Sequence, residues 1–93
     1  MAQMTLPETM DLKAAAGLKA SILAQRGSSL ELDASGVRRL GGLCLQVLLA
    51  AASTWRTDGQ SFSLTNPSES FAEAIRLFGA HEALGTATYG AQS

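Results

Sequence analysis

LELDASGVRRLGGLCLQVLLAAA (Leu30–Ala52) carries a short alternating strand through a polar turn directly into a helix opened by two glycines. Leu30 and Leu32 alternate with Glu31 and Asp33, which reads as a strand over about Ser29–Ala34 ending at Asp33, and Ser35-Gly36 then turns the chain. Val37–Leu40 crosses toward a helix over about Gly42–Thr57, apolar around most of its circumference with Gln46, Ser53 and Thr57 as one narrow polar stripe. Such a helix is predicted to be largely buried. At its start the first backbone N–H groups lack intrahelical partners and the helix dipole is positive, so an anion or another protein's acidic group is met there at low cost.

Working outward, Met4–Leu6 reads as a short strand stopped by Pro7. Asp11 is a good N-cap for a helix through about Arg26, closed by Gly27. Leu12, Ala15, Ala16, Leu18, Ile22 and Leu23 share one broad face of that helix, as expected of a helix lying on a sheet. Lys19 falls inside the same face, where its aliphatic stem packs while the ammonium reaches water. Toward the C-terminus, Asp58-Gly59 is a turn signal and Ser61–Thr65 alternates around Phe62 and Leu64. Asn66-Pro67-Ser68-Glu69 then starts a third helix, with Asn66 as cap, Pro67 at the first helical position and Glu69 at the third. That helix, about Pro67–Phe78, places Phe71, Ala74, Ile75 and Phe78 on one face and ends at Gly79.

Strand and helix alternate three times, with crossovers long enough for parallel strands joined by right-handed βαβ units. The fold class is α/β, a small, mostly parallel sheet of three or four strands with helices packed on it. In open sheets of this kind function gathers at the carboxyl ends of strands, where the loop Ser35–Gly42 sits.

Composition narrows the functional classes. The 93 residues hold one domain, expected over 1–93 with a core of about 4–84 and a flexible tail over 85–93. Seven Lys+Arg against eight Asp+Glu, spread along the chain without a basic tract, disfavour nucleic acid and anionic membrane surfaces as partners. The apolar run Leu43–Ala52, interrupted by Gln46, is far short of the roughly 20 residues of a membrane span. Cys44 is the only cysteine and the N-terminal MAQMTLPETM lacks the regions of a signal peptide, so a cytoplasmic location is expected.

Leu32-Asp33-Ala34-Ser35-Gly36-Val37, then Leu40–Leu49 (LGGLCLQVLL), Phe62–Ser68 (FSLTNPS) and Leu77-Phe78-Gly79, taken in this order, resemble the STAS domain family. These are the small domains of sulfate transporters and anti-sigma factor antagonists. The resemblance covers about Met4–Leu84, and the Leu-Gly-Gly-x-Cys-Leu-Gln-Val-Leu wording resembles STAS-like proteins encoded beside chemotaxis genes. It implies a bacterial signalling module that docks a regulatory partner, an anti-sigma or histidine-kinase-like protein. In the antagonists a serine at the N-terminus of the second helix is phosphorylated to release that partner. Here Gly41 falls at the acidic position of that loop and Gly42 at the phosphoserine, with Leu43 and Cys44 replacing the second serine and the glycine. The switch is therefore absent or moved, for instance to Ser35, while the partner-binding surface implied is Ser35, Arg38, Arg39, Gly41, Gly42, Leu43, Leu45 and Gln46. The family usually begins with two strands, so an N-terminal edge strand is expected to be missing, leaving an exposed edge that Pro7 partly blunts.

Each of these residues also has a plainer reading. Gly41-Gly42 binds an anion or simply relieves a tight turn. Cys44, in the first helical turn, is reactive or is core packing. Arg38-Arg39 meet acidic groups of a partner or are solvated. Asp33 is a catalytic acid or accepts hydrogen bonds from the turn Ser35–Val37. His81, with no second histidine or cysteine nearby, is not expected to hold a metal, Trp55 is expected in the core, and no cofactor is implied. Three functional classes follow: a docking module, compatible with a weak homodimer; a small-ligand, nucleotide or anion sensor, for which no Gly-x-x-x-x-Gly-Lys-Ser/Thr loop is present; and an enzyme using Cys44 or Asp33, for which no matched base or nucleophile is visible.

Overall fold

The computed structural model describes residues 2–79. The elements run β1 (Ala2–Thr5), β2 (Thr9–Met10), α1 (Leu12–Leu23), β3 (Leu30–Asp33), β4 (Arg39–Leu40), α2 (Gly42–Thr57), β5 (Phe62–Thr65) and α3 (Glu69–Leu77). The main sheet has three parallel strands in the order β1-β3-β5, and β2 pairs with β4 in a separate parallel ladder. Ala2, Leu30 and Phe62 stand in one row of the main sheet, and Met4, Leu32 and Leu64 in another. These rows pack into the core. The alternate rows, Gln3-Glu31-Ser63 and Thr5-Asp33-Thr65, point to the other face, which is polar. The strand sequences LELD and FSLT encode that one-sidedness, since a parallel strand buried on both faces reads as a continuous apolar run.

Because the strand order advances in one direction, right-handed crossovers place α1 and α2 on the same face of the sheet, where they pack against each other. α1 contributes Ala15, Leu18 and Ile22 to the core, and α2 contributes Cys44, Leu45, Leu48, Ala51, Ala52 and Trp55. α3 adds Phe71 and Ile75 beside β4. Among the described residues the buried set is entirely hydrophobic. The largest member, Trp55, carries one polar atom, and its indole N–H donates to the Ser28 carbonyl at 2.7 Å while its ring lies 5.8 Å from that of Phe62. Nearby, Arg26 forms a bidentate pair with Asp58 at 2.8 and 3.1 Å. The turns after α1 and after α2 are thereby tied together at one end of the sheet.

Several elements differ from the sequence reading. α1 stops at Leu23 rather than about Arg26, the next residues forming turns that end at Gly27, whose φ of 100° only glycine adopts freely. Leu12, Ala16, Lys19 and Leu23 are exposed instead of lying on the sheet, since the packed face of α1 is only about a third of its circumference. α2 has the expected bounds but is buried on one side only, with Leu43 45% exposed. α3 is capped by Ser68, not Asn66, and Phe78 is exposed. Asn66 takes the left-handed conformation, φ 49°, that turns the chain out of β5, and so cannot supply the extended backbone of a cap. The ten residues before α1 hold β1 at an edge of the main sheet and then β2, which leaves that sheet to meet β4.

Ser68 does more than cap. Its hydroxyl accepts from the Phe71 N–H at 3.0 Å and donates to the Val37 carbonyl at 2.6 Å, while its own N–H donates to the Ala34 carbonyl at 3.1 Å. The start of α3 therefore holds the loop after β3. Replacing Ser68 with Ala is expected to cost about 1–2 kcal/mol in urea unfolding, since it deletes a cap and leaves a partly buried carbonyl without its donor.

Candidate functional site

The loop from Ala34 to Gly41 and the first turns of α2 lie at the carboxyl end of β3. Ala34 and Val37 are buried and anchor the loop from beneath, so Ser35 and Gly36 are lifted to the surface. The Asp33 carboxylate accepts the Ser35 N–H at 2.9 Å. That bond, the Ser35 hydroxyl and the Asn66 side chain hold the Asp33 carboxyl below the usual range, which is the turn-stabilising role and leaves it no proton to donate near neutrality. Arg38 and Arg39 both give their backbone N–H groups to the Glu8 carbonyl, at 2.8 and 3.2 Å, and their side chains are exposed. Backbone pairing to β2 fixes where the two guanidinium groups emerge.

The two glycines differ. The Gly41 N–H donates to the Met10 carbonyl at 2.8 Å, and a Cβ there would come 3.1 Å from that same carbonyl oxygen. The neighbouring Asp11, the N-cap of α1, accepts from Cys44, whose thiol donates to the Asp11 carbonyl at 3.3 Å. Gly41 is thus a close-approach glycine, and as the N-cap of α2 it offers no side chain to the free N–H groups. Gly42 is exposed, and a Cβ on it would meet nothing within 4 Å.

Of the residues expected to form a partner surface, Ser35, Arg38, Arg39, Gly42, Leu43 and Gln46 are exposed and Gly41 is half-buried. Leu45 is corrected: it is buried in the core, whereas its neighbour Gln46 is exposed, and it presents no side chain to a partner. The sequence reading missed Leu12, which is 76% exposed on α1 and lines a groove between α1 and α2 together with Leu43 and Gln46. Its signal was present as a wheel face too wide for one packed stripe.

Cys44 is fully buried, and burial and then the Asp11 charge push its thiol up, the reverse of what a nucleophile needs. A second hollow, on the polar face of the sheet, is lined by Gln3, Glu31, Asp33 and Thr65 among others. Its two carboxylates repel phosphate. No cluster of histidine, cysteine and carboxylate residues among those described could hold a metal, and His81 lies outside the described residues. No described helix is long and apolar enough to cross a membrane.

A family model described as "Mlab, STAS domain" matches residues 2–86. No curated protein matches the chain. The fold is similar to that of a sulfate transporter family protein from Wolinella succinogenes, with a TM-score of 0.80 at 18% identity over 96% of this chain and 75% of that one. It is also similar to a protein described as an anti-sigma factor antagonist from Thermotoga maritima, with a TM-score of 0.72 at 17% identity over 86% of this chain and 74% of that one.

Two predictions follow from the geometry. Gly41→Ala and Gly42→Ala are expected to move stability in opposite directions: the first destabilises by about 1–3 kcal/mol through its clash with Met10, and the second stabilises by roughly 0.5–1 kcal/mol through helix propensity, as read from denaturant midpoints. Because Asp33 titrates lower in the folded chain, its stabilising effect is complete above the ordinary carboxylate range and disappears as pH falls through the lowered value. Asp33→Asn should therefore flatten the acid limb of a plot of thermal midpoint against pH.

Proposed function

The chain belongs to the STAS domain family, and we propose that it is a non-catalytic docking module of bacterial signalling, working in the cytoplasm, with its phosphorylation switch deleted. It meets a regulatory protein, anti-sigma or histidine-kinase-like, through the loop after β3 and the N-terminus of α2. Service beside a chemotaxis system is part of the same reading. The observation that carries it is Gly42: an exposed residue at the uncapped first turn of α2, with open space where a side chain would stand, beside exposed Leu43 and Gln46. A hydroxyl placed there would be reachable by a kinase. Glycine leaves that position uncharged, and Arg38 and Arg39 are exposed earlier in the same loop, which suits constitutive docking on an acidic partner surface. A binding role is also supported by the state of the two groups that chemistry would need, since Cys44 is buried with a raised pKa and Asp33 is engaged by its own turn.

The test places a charge where the antagonists carry phosphate. Gly42→Glu is expected to abolish recovery of the partner that wild-type protein captures from the native cell, by charge and bulk at the contact, while Gly42→Ala retains it. Both variants should melt within a few degrees of wild type by circular dichroism. Capture by Gly42→Glu equal to that by Gly42→Ala would remove this surface from the interface.

A further inference from the structure

The apolar residues that α1 turns away from the sheet are not scattered. Leu12, Leu23, Leu43 and Val47 line a groove of about 490 Å³ between α1 and α2, with Leu12 76% exposed and Leu23 and Leu43 each 45% exposed. Both helices return antiparallel to parallel strands and so run in the same direction. Their first turns contribute Leu12 and Leu43 to the groove, and later turns contribute Leu23 and Thr54. The lining holds one charge, Lys19, which forms no ion pair among the described residues. α1 and α2 together carry Lys13, Lys19 and Arg56, and neither helix contains an aspartate or glutamate. The groove is thus a long apolar trough with one unneutralised cation in its wall, in a protein whose net charge is −1.

We infer that this groove seats an amphipathic helix of a partner protein, one that carries an acidic residue within its apolar stripe to meet Lys19. The inference rests on the docking role proposed above and adds the chemistry of the partner. Leu23 lies about one turn from Lys19 and Leu12 about two turns on the other side, roughly 6 and 10 Å along the axis. The complementary helix has an acid flanked by large aliphatic side chains at those spacings, the mode by which helices bind in apolar grooves. A second copy of this chain is a poor occupant. Groove to groove, it would bring two Lys19 side chains into one interface with no acidic residue on α1 or α2 to answer either.

The probe is a synthetic helical peptide of about 18 residues, roughly 27 Å long, with a leucine stripe and one central glutamate, titrated against the full chain by amide-detected NMR. A second peptide carries lysine in place of the glutamate. The glutamate peptide is expected to bind and to shift amides of α1 and α2. Lys19→Glu is expected to weaken it roughly fivefold or more and to strengthen the lysine peptide, and Leu43→Asp to abolish binding of both. Circular dichroism melts confirm that each variant is folded. Equal binding of both peptides, binding of neither, preferential uptake onto phosphatidylglycerol vesicles, or a sedimenting dimer that Leu43→Asp converts to monomer would each overturn the inference. If the peptides fail while capture of the native partner still depends on Gly42, docking at the α2 N-terminus stands and the groove does not. If the charge swap succeeds while capture is indifferent to Gly42, the groove stands and the Gly42 surface falls.

Discussion

The rest of this structure depends on the handedness of two crossovers. Three parallel strands laid down in the order β1-β3-β5, each joined by a right-handed connection, leave α1 and α2 no choice of side, and both settle on one face of the sheet. That face receives Leu30, Leu32, Phe62 and Leu64, and the opposite face receives Glu31, Asp33, Ser63 and Thr65. Two helices forced side by side on a narrow sheet cannot both bury every apolar residue they carry. The groove between them, with Leu12 and Leu43 left at the surface, follows from the same constraint that builds the core.

A second constraint positions the candidate site. The loop after β3 has no regular structure of its own apart from the two residues of β4, yet it is held on three sides. The Glu8 carbonyl just before β2 takes the backbone of Arg38 and Arg39 and Met10 of β2 takes Gly41, Ser68 takes Ala34 and Val37, and the Asp33 carboxylate takes Ser35. A loop tied in this way presents Arg38, Arg39 and the start of α2 on a backbone already ordered before binding. At the other end of the sheet, the Trp55–Ser28 hydrogen bond and the Arg26–Asp58 pair close the structure away from the site.

Much of this was legible in the sequence, for reasons that can be named. α2, β3 and β5 are long or strongly patterned, and each carries turn signals at its ends, so their bounds agree closely with the structure. β2 and β4 were invisible because two residues have no period, and their pairing is long-range, Met10 against Leu40. The cap of α3 was misplaced because Asn66 and Ser68 are both good caps by type, and only the backbone at Asn66 decides between them. At the site, Ser35, Arg38, Arg39, Leu43 and Gln46 could be placed on the surface from their positions, whereas Leu45 could not be separated from its neighbours on a helix that is apolar nearly all round. The groove was missed because a wide apolar face on α1 was assigned whole to the sheet.

The contrast between Gly41 and Gly42 bears on which positions of this chain are free to change. Gly41 is held by the Met10 carbonyl, which a side chain there would have to displace, but its neighbour stands in open space. Glycine and serine are joined by a single base change in several of their codons. From a glycine codon ending in a pyrimidine a hydroxyl at position 42 is one base change away, with no rearrangement of the chain around it. A substitution there changes what the surface presents and not how the chain packs, so the face at the start of α2 can be altered without passing through an unstable intermediate.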